Sequence, residues 1–196
     1  GNYGFTFDQR DKAFMPTSGS IFSFGQSVPI VADKSFITNT ISSSMYKSLS
    51  ENIVGSAKIY LASINGLAGD DVRISKRRGI SSSRLRGFEK NKVGPVDGND
   101  HVGGNYVASL NFETNLPNIL PENSNADLGL FLDFGNVWGV DYDSSIDESN
   151  EIRSSTGISV NWLSPIGPLN FVLSQNLSKA DTDVTESFTF NLGTTF

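Results

Sequence analysis

A two-residue alternation at the C-terminal end constrains this chain more than any other feature. From 186 onward the even positions are Phe188, Phe190, Leu192, Thr194 and Phe196; the odd ones are Ser187, Thr189, Asn191, Gly193 and Thr195. Successive side chains of an extended strand point to opposite faces, so the pattern predicts a strand with one aromatic face and one small, polar face. The same division recurs upstream. Leu169, Phe171 and Leu173 alternate with Asn170, Val172 and Ser174; Ile158, Val160 and Trp162 with Gly157, Ser159 and Asn161. Leu128, Leu130, Leu132 and Phe134 alternate with Asp127, Gly129, Phe131, Asp133 and Gly135, and Tyr106, Ala108, Leu110 and Phe112 with Asn105, Ser109, Asn111 and Glu113. The pattern weakens toward the N-terminus but includes Phe22, Phe24, Tyr3, Phe5 and Phe7. It predicts about nine strands, near 2–8, 19–29, 35–48, 51–64, 104–115, 127–138, 152–163, 168–176 and 186–196.

The second face decides between a soluble sandwich and a membrane barrel. A sandwich turns its polar face to bulk water and carries Lys and Glu there. This face carries Ser, Thr, Asn and Gly, which suits the crowded polar interior of a barrel. Trp138, Trp162 and Phe196 fall near strand ends, where interfacial aromatic girdles sit. No run approaches the ~18 apolar residues of a membrane-spanning helix, which leaves a barrel untouched, since its apolar band is hidden in alternation. Loop lengths fit as well. Ser164-Pro165-Ile166-Gly167 is a tight turn, whereas 65–103, 139–151 and 177–185 are long or acidic and, counted back from a periplasmic C-terminus, all fall outside the cell.

Composition narrows the chemistry. A net charge of −6 argues against nucleic acid as a partner. With no Cys and a single His, thiolate metal sites, disulfides and Cys nucleophiles are excluded. His101 has no ligand-type companion nearby and reads as an ordinary loop residue. Asp141, Asp143, Asp147 and Glu148 lack the glycine turn of a calcium loop and read as a solvated acidic loop. The basic cluster Arg73–Arg86 reads, on composition alone, equally as a solvated loop. No catalytic triad, metal set or phosphate loop is present, so the chain is expected to be no enzyme and to need no cofactor. No signal peptide opens the sequence, as expected of a mature chain or a fragment.

Within the longest loop stands Arg84-Leu85-Arg86-Gly87-Phe88. Leu85, Arg86, Gly87 and Phe88 together resemble the (V/I/L)RGF signature of the BamA-type barrels of the bacterial surface antigen superfamily. The resemblance continues through Val107-Ala108-Ser109-Leu110, Phe131-Leu132-Asp133-Phe134-Gly135-Asn136-Val137-Trp138, Ser164-Pro165-Ile166-Gly167-Pro168-Leu169 and the terminal strand. Asp11-Lys12-Ala13-Phe14-Met15-Pro16-Thr17-Ser18-Gly19 resembles the family's FPTxG turn. Any one motif is weak, but their order and spacing are specific and cover nearly the whole chain.

The resemblance implies an all-β, antiparallel transmembrane barrel, with residues 1–196 as its C-terminal portion, about nine strands of sixteen. The POTRA domains and first barrel strands of such a protein would lie outside these residues. It implies residence in the bacterial outer membrane and a role in folding and inserting other outer-membrane barrels. Partners would be client barrel proteins, accessory assembly lipoproteins and the lipid bilayer. A TamA-like assembly factor or two-partner-secretion transporter is the alternative, and a passive porin a remoter one. The resemblance also implies that the loop folds into the lumen and that Arg86 pairs with acidic groups on the inner wall. Asp133 matches the family's partner position, and strand parity independently turns it inward. The second partner departs from the family: Asn111 stands where an acid is usual, and Glu113 lies two residues on, on the same face. Phe188, Phe190, Leu192 and Phe196 would form the C-terminal strand signal.

Overall fold

The protein is described here by a computed structural model that covers residues 1–13, 15–28, 35–116 and 119–192. In chain order the strands are β1 (Asn2–Asp8), β2 (Gly19–Ser27), β3 (Phe36–Ser48), β4 (Val54–Gly66), β5 (Val96–Asp97), β6 (Asp100–His101), β7 (Tyr106–Asn115), β8 (Ala126–Trp138), β9 (Arg153–Ser164), β10 (Gly167–Ser178) and β11 (Phe188–Leu192). All but β5 and β6 join one nine-stranded antiparallel meander in which chain neighbours are sheet neighbours. β5 and β6 form a separate small hairpin inside the long β4–β7 connection, which strand periodicity did not predict because each is two residues long.

Cross-strand register explains why these segments pair. Phe5 faces Phe24, Phe7 faces Phe22, and Phe171 faces Phe190 with ring centroids 5.1 Å apart. Aromatic pairs of this kind stabilise a sheet by roughly 0.2–1 kcal/mol each. These side chains all lie on one face, where Tyr3, Phe5, Phe7, Phe188, Phe190 and Leu192 are each more than half exposed. A continuous apolar surface of that extent is unsuited to water and suited to lipid.

The opposite face is covered by the chain itself. Ile80, Leu85, Phe88 and Val93 of the β4–β7 connection pack against Ala62 of β4, Val107 of β7 and Val137 of β8. The same connection reaches Ser155 of β9 and Asn176 of β10 by hydrogen bonds. One loop touches strands from β4 to β10 on a single face, so the sheet curls around it. Burial of each such apolar side chain contributes roughly 1.5–3 kcal/mol and holds this part of the loop against the sheet. Gly135 of β8 permits the close approach: a Cβ there would stand 2.8 Å from Ile80 Cδ1.

The connections sort by end. Residues 9–18, 49–53 and 165–166 close one end, and 67–105, 139–152 and 179–187 crowd the other. At the crowded end Trp138 stacks on Tyr106, 5.7 Å between centroids; Trp162 lies toward the opposite end, beside Ala126. At the short-loop end, Asp11 Oδ1 accepts the Thr17 and Ser18 amides at 2.9 and 3.2 Å and closes the β1–β2 turn.

The last strand differs from expectation. Sheet pairing starts at Phe188 rather than 186, because residues 184–186 pair with the long loop instead. Phe196, expected in the strand's apolar signal, lies outside the described residues, as do Phe14 of the β1–β2 turn and the expected end of the second strand at 29.

Candidate functional site: an arginine clamp between loop and wall

Leu85, Arg86, Gly87 and Phe88 lie against the inner wall. Leu85 and Phe88 are buried in the apolar cluster, and Arg86 between them turns to the carboxylates of β7 and β8. Its Nε and Nη2 donate to Asp133 Oδ2 and Oδ1, both at 2.7 Å, a two-pronged geometry that a planar guanidinium matches. The Arg86 amide adds a third bond to Asp133 Oδ2 at 3.1 Å, so loop backbone and side chain grip one residue. Nη1 donates to Glu113, whose other oxygen accepts from Ser159 Oγ at 3.2 Å. Beneath the guanidinium lies the Phe131 ring, 3.8 Å from Cζ to its centroid.

Burial makes the arrangement consequential. The Asp133 side chain has no exposure, against 11% for Arg86 and 25% for Glu113. A carboxylate so enclosed requires a counter-charge and filled lone pairs, and Arg86 supplies both. Asn111 is buried, but its Nδ2 donates to the Arg84 carbonyl at 2.8 Å, leaving the second ionic contact to Glu113. Arg84 itself lies over the Tyr60 ring at 3.6 Å.

Gly87 has φ +91°, a region costly for any residue with a Cβ, and that Cβ would meet Ser174 Oγ at 3.0 Å and Asn176 Nδ2 at 3.2 Å. The Gly87 carbonyl accepts from Asn176 Nδ2 at 2.9 Å and from the Glu186 amide at 3.0 Å. The Arg86 carbonyl accepts from Ser155 Oγ. Walls on both sides of the motif are therefore engaged.

Two further ion pairs escaped the sequence reading. Arg77, placed there in a cluster that could equally be solvated, is buried; it bonds Asn105 Oδ1 at 2.9 Å and the Val72 carbonyl at 3.0 Å and pairs with Asp141. Asp141 is thus not part of a merely solvated acidic loop. Burial works against its charge, yet the Val72 amide and Arg77 prevail and hold its carboxyl below the ordinary value. Elsewhere in that loop Asp143 and Asp147 accept the Ser145 and Ser149 amides at 2.9 Å, and the Asp147 carbonyl accepts the Val96 amide of the long connection at 2.8 Å. Arg153 pairs with Asp183, and neither side chain has any exposure. One signal pointed to Arg153: it shares the inward parity of Ser155 and Ser159, and an arginine on a wall of serines needs a partner. His101 sits in β6 with Nε2 2.8 Å from the Thr182 carbonyl.

A sheet with a lipid-facing apolar surface, curled around a loop clamped by arginine, defines a transmembrane β-barrel of the outer-membrane type. The chain belongs to the Omp85 superfamily, whose domain matches residues 1–196. Its similarity extends to proteins named outer membrane protein assembly factor BamA. That of Neisseria meningitidis is 27% identical over 232 residues, covering all of this chain and 28% of the relative. That of Neorickettsia risticii is 26% identical over 200 residues (100% and 27%), and that of Nitratidesulfovibrio vulgaris 30% over 205 residues (98% and 25%). The crystal structure of Haemophilus ducreyi BamA lacking POTRA domains 1–3 superposes with a TM-score of 0.86 at 25% identity, covering 96% of this chain and 41% of that one. The chain therefore spans about a quarter of the length of these full-length relatives. Its place is the bacterial outer membrane, and the inner face described above is the barrel lumen.

Proposed function

We propose that residues 1–196 form the C-terminal part of the barrel of an outer-membrane protein assembly factor, which folds and inserts client β-barrels. In this reading POTRA domains and the first barrel strands precede them in the whole protein. The observation that carries the proposal is the clamp of Arg86 on Asp133 and Glu113, which seats a long loop inside the lumen. A loop of that length inside a compact domain needs a task, and a passive pore gains nothing from an ordered plug. The names of the relatives favour assembly over a TamA-like or two-partner-secretion role.

The work requires no covalent chemistry and no cofactor. A strand edge presents unsatisfied N–H and C=O groups, and in lipid these can be satisfied only by another strand. The free edge of β11, meeting the barrel's first strand at a weak seam, would template the strands of an incoming client by β-augmentation. Accessory lipoproteins would act on the whole protein from the periplasmic side.

The test uses the full-length protein in lipid vesicles and a urea-unfolded outer-membrane barrel as client. Folding, read as heat-modifiable gel mobility, should be accelerated by the wild type and slowed by Arg86→Ala. Vesicles that gain solute permeability without any acceleration of client folding would replace this reading with that of a porin.

A further inference from the structure

The lumenal loop and the last strand are joined by a segment that belongs to neither. Between β10 and β11, Glu89 donates its amide to the Val184 carbonyl at 2.9 Å, Val184 to the Lys92 carbonyl at 3.1 Å and Glu186 to the Gly87 carbonyl at 3.0 Å. Phe88 and Thr185 form an antiparallel bridge between them. One residue later the Ser187 carbonyl accepts the Ser174 amide at 2.8 Å, and at Phe188 regular pairing with Leu173 begins. The backbone that holds the Leu85–Phe88 motif thus runs without a break into the edge strand.

What fixes the start of that segment is a fully enclosed ion pair. Arg153 Nε and Nη2 donate to Asp183 Oδ2 and Oδ1 at 2.8 and 3.0 Å, while Nη1 donates to Asn136 Oδ1 and the Glu151 carbonyl, both at 2.7 Å. Asp183 Oδ2 also accepts the Ala180 amide at 2.7 Å and closes the turn that precedes Val184. The pair lies on β9 and the β10–β11 loop and, among the described residues, shares no ion pair with Arg86, Asp133 or Glu113.

We propose that Arg153 and Asp183 are positioning residues that lock 184–186 as a rail, so that the seat of the lumenal loop and the register of β11 are set together. A charge pair with no exposure has two states only, made or broken, because a half-paired buried ion is too costly to persist. When it is made, the rail aligns 87–92 and 188–192 at once. When it is broken, both are released. The coupling is structural; its consequence for client insertion rests on the assembly reading above.

Hydrogen exchange on the full-length protein in lipid nanodiscs tests it. Asp183→Asn should speed exchange by at least about tenfold in both 87–92 and 188–192 while leaving 126–133, which ends at Asp133, unchanged. Arg153→Lys keeps the charge but offers no planar fork, and should fall between wild type and Arg153→Ala. The neighbouring exposed Asp181→Asn should change nothing. Faster exchange confined to 179–187 would overturn the proposal. Should the variants fail to fold, the wild type decides: the Glu89, Val184 and Glu186 amides should exchange at one common rate, and widely separate rates would refute a single rail. The two readings fail separately. If Arg86→Ala leaves client folding unaffected while Asp183→Asn still loosens both segments, the assembly reading falls and the coupling stands.

Discussion

Replacing Arg86 with Ala removes the only cation bonded to Asp133 among the described residues, and the cost can be worked from the burial of the partners. Asp133 has no exposure and loses three hydrogen bonds if the guanidinium and the seated amide both leave. Breaking a buried pair by removing one partner costs about 3–5 kcal/mol. Glu113, a quarter exposed, recovers solvation and adds little. Asp133→Ala is the milder change, since Arg86 keeps Glu113 and the Phe131 ring. The expected order is therefore Arg86→Ala worse than Asp133→Ala, with the double variant close to Arg86→Ala alone and a coupling energy of about 2–3 kcal/mol. The assay is a double-mutant cycle in the full-length protein, read both as client-folding rate and as protease access between Arg73 and His101. Additive losses, with coupling near zero, would refute the clamp.

Facing on the terminal strand should be measurable in a membrane-refolding assay: Phe190→Arg costs roughly 2–4 kcal/mol and Asn191→Arg much less, and equal costs would contradict the assigned lumen face. The isolated 196-residue chain leaves β1 and β11 each with one edge unpaired among the described residues, so in lipid it should associate with another chain; a monodisperse inserted monomer would be the contrary result. Asp11 has its carboxyl lowered to about 2 by the Thr17 hydroxyl and the Ser18 and Thr17 amides. A depressed folded-state value means that the turn's contribution is whole above the unfolded carboxylate range, near pH 4, and lost as pH falls through about 2; proteolysis of the turn by an acid-active protease should rise over that window and lose its pH dependence in Asp11→Asn.

Strand periodicity was legible because each wall residue answers to one rule, lipid on one side and lumen on the other. Phe188 and Phe190 show it most clearly, and Tyr3, Phe5 and Phe7 still belong to it. The loop was not legible in that way. Leu85 and Phe88 have no periodic neighbours, and only the resemblance drew attention to Arg86. Arg77 and Asp141, 64 residues apart, and Arg153 and Asp183, 30 apart, pair across loops whose geometry exists only after the sheet has curled. Asn111 and Glu113 share a face, and parity alone could not choose between them. The choice depends on where the Arg84 carbonyl falls, which sequence does not encode locally.

The dry cluster of Ile80, Leu85, Phe88, Val93, Ala62, Val107 and Val137 gathers about the lumenal loop, on the side of the long connections. Toward the short turns the wall presents Ser44, Lys58, Asn161, Asn170 and Asn191 to a polar cavity. The barrel wall is accordingly braced at one rim and compliant at the other, like a tube stoppered at its mouth. Bending should concentrate below the stopper, so that strands flex about a collar fixed at the end of the long connections.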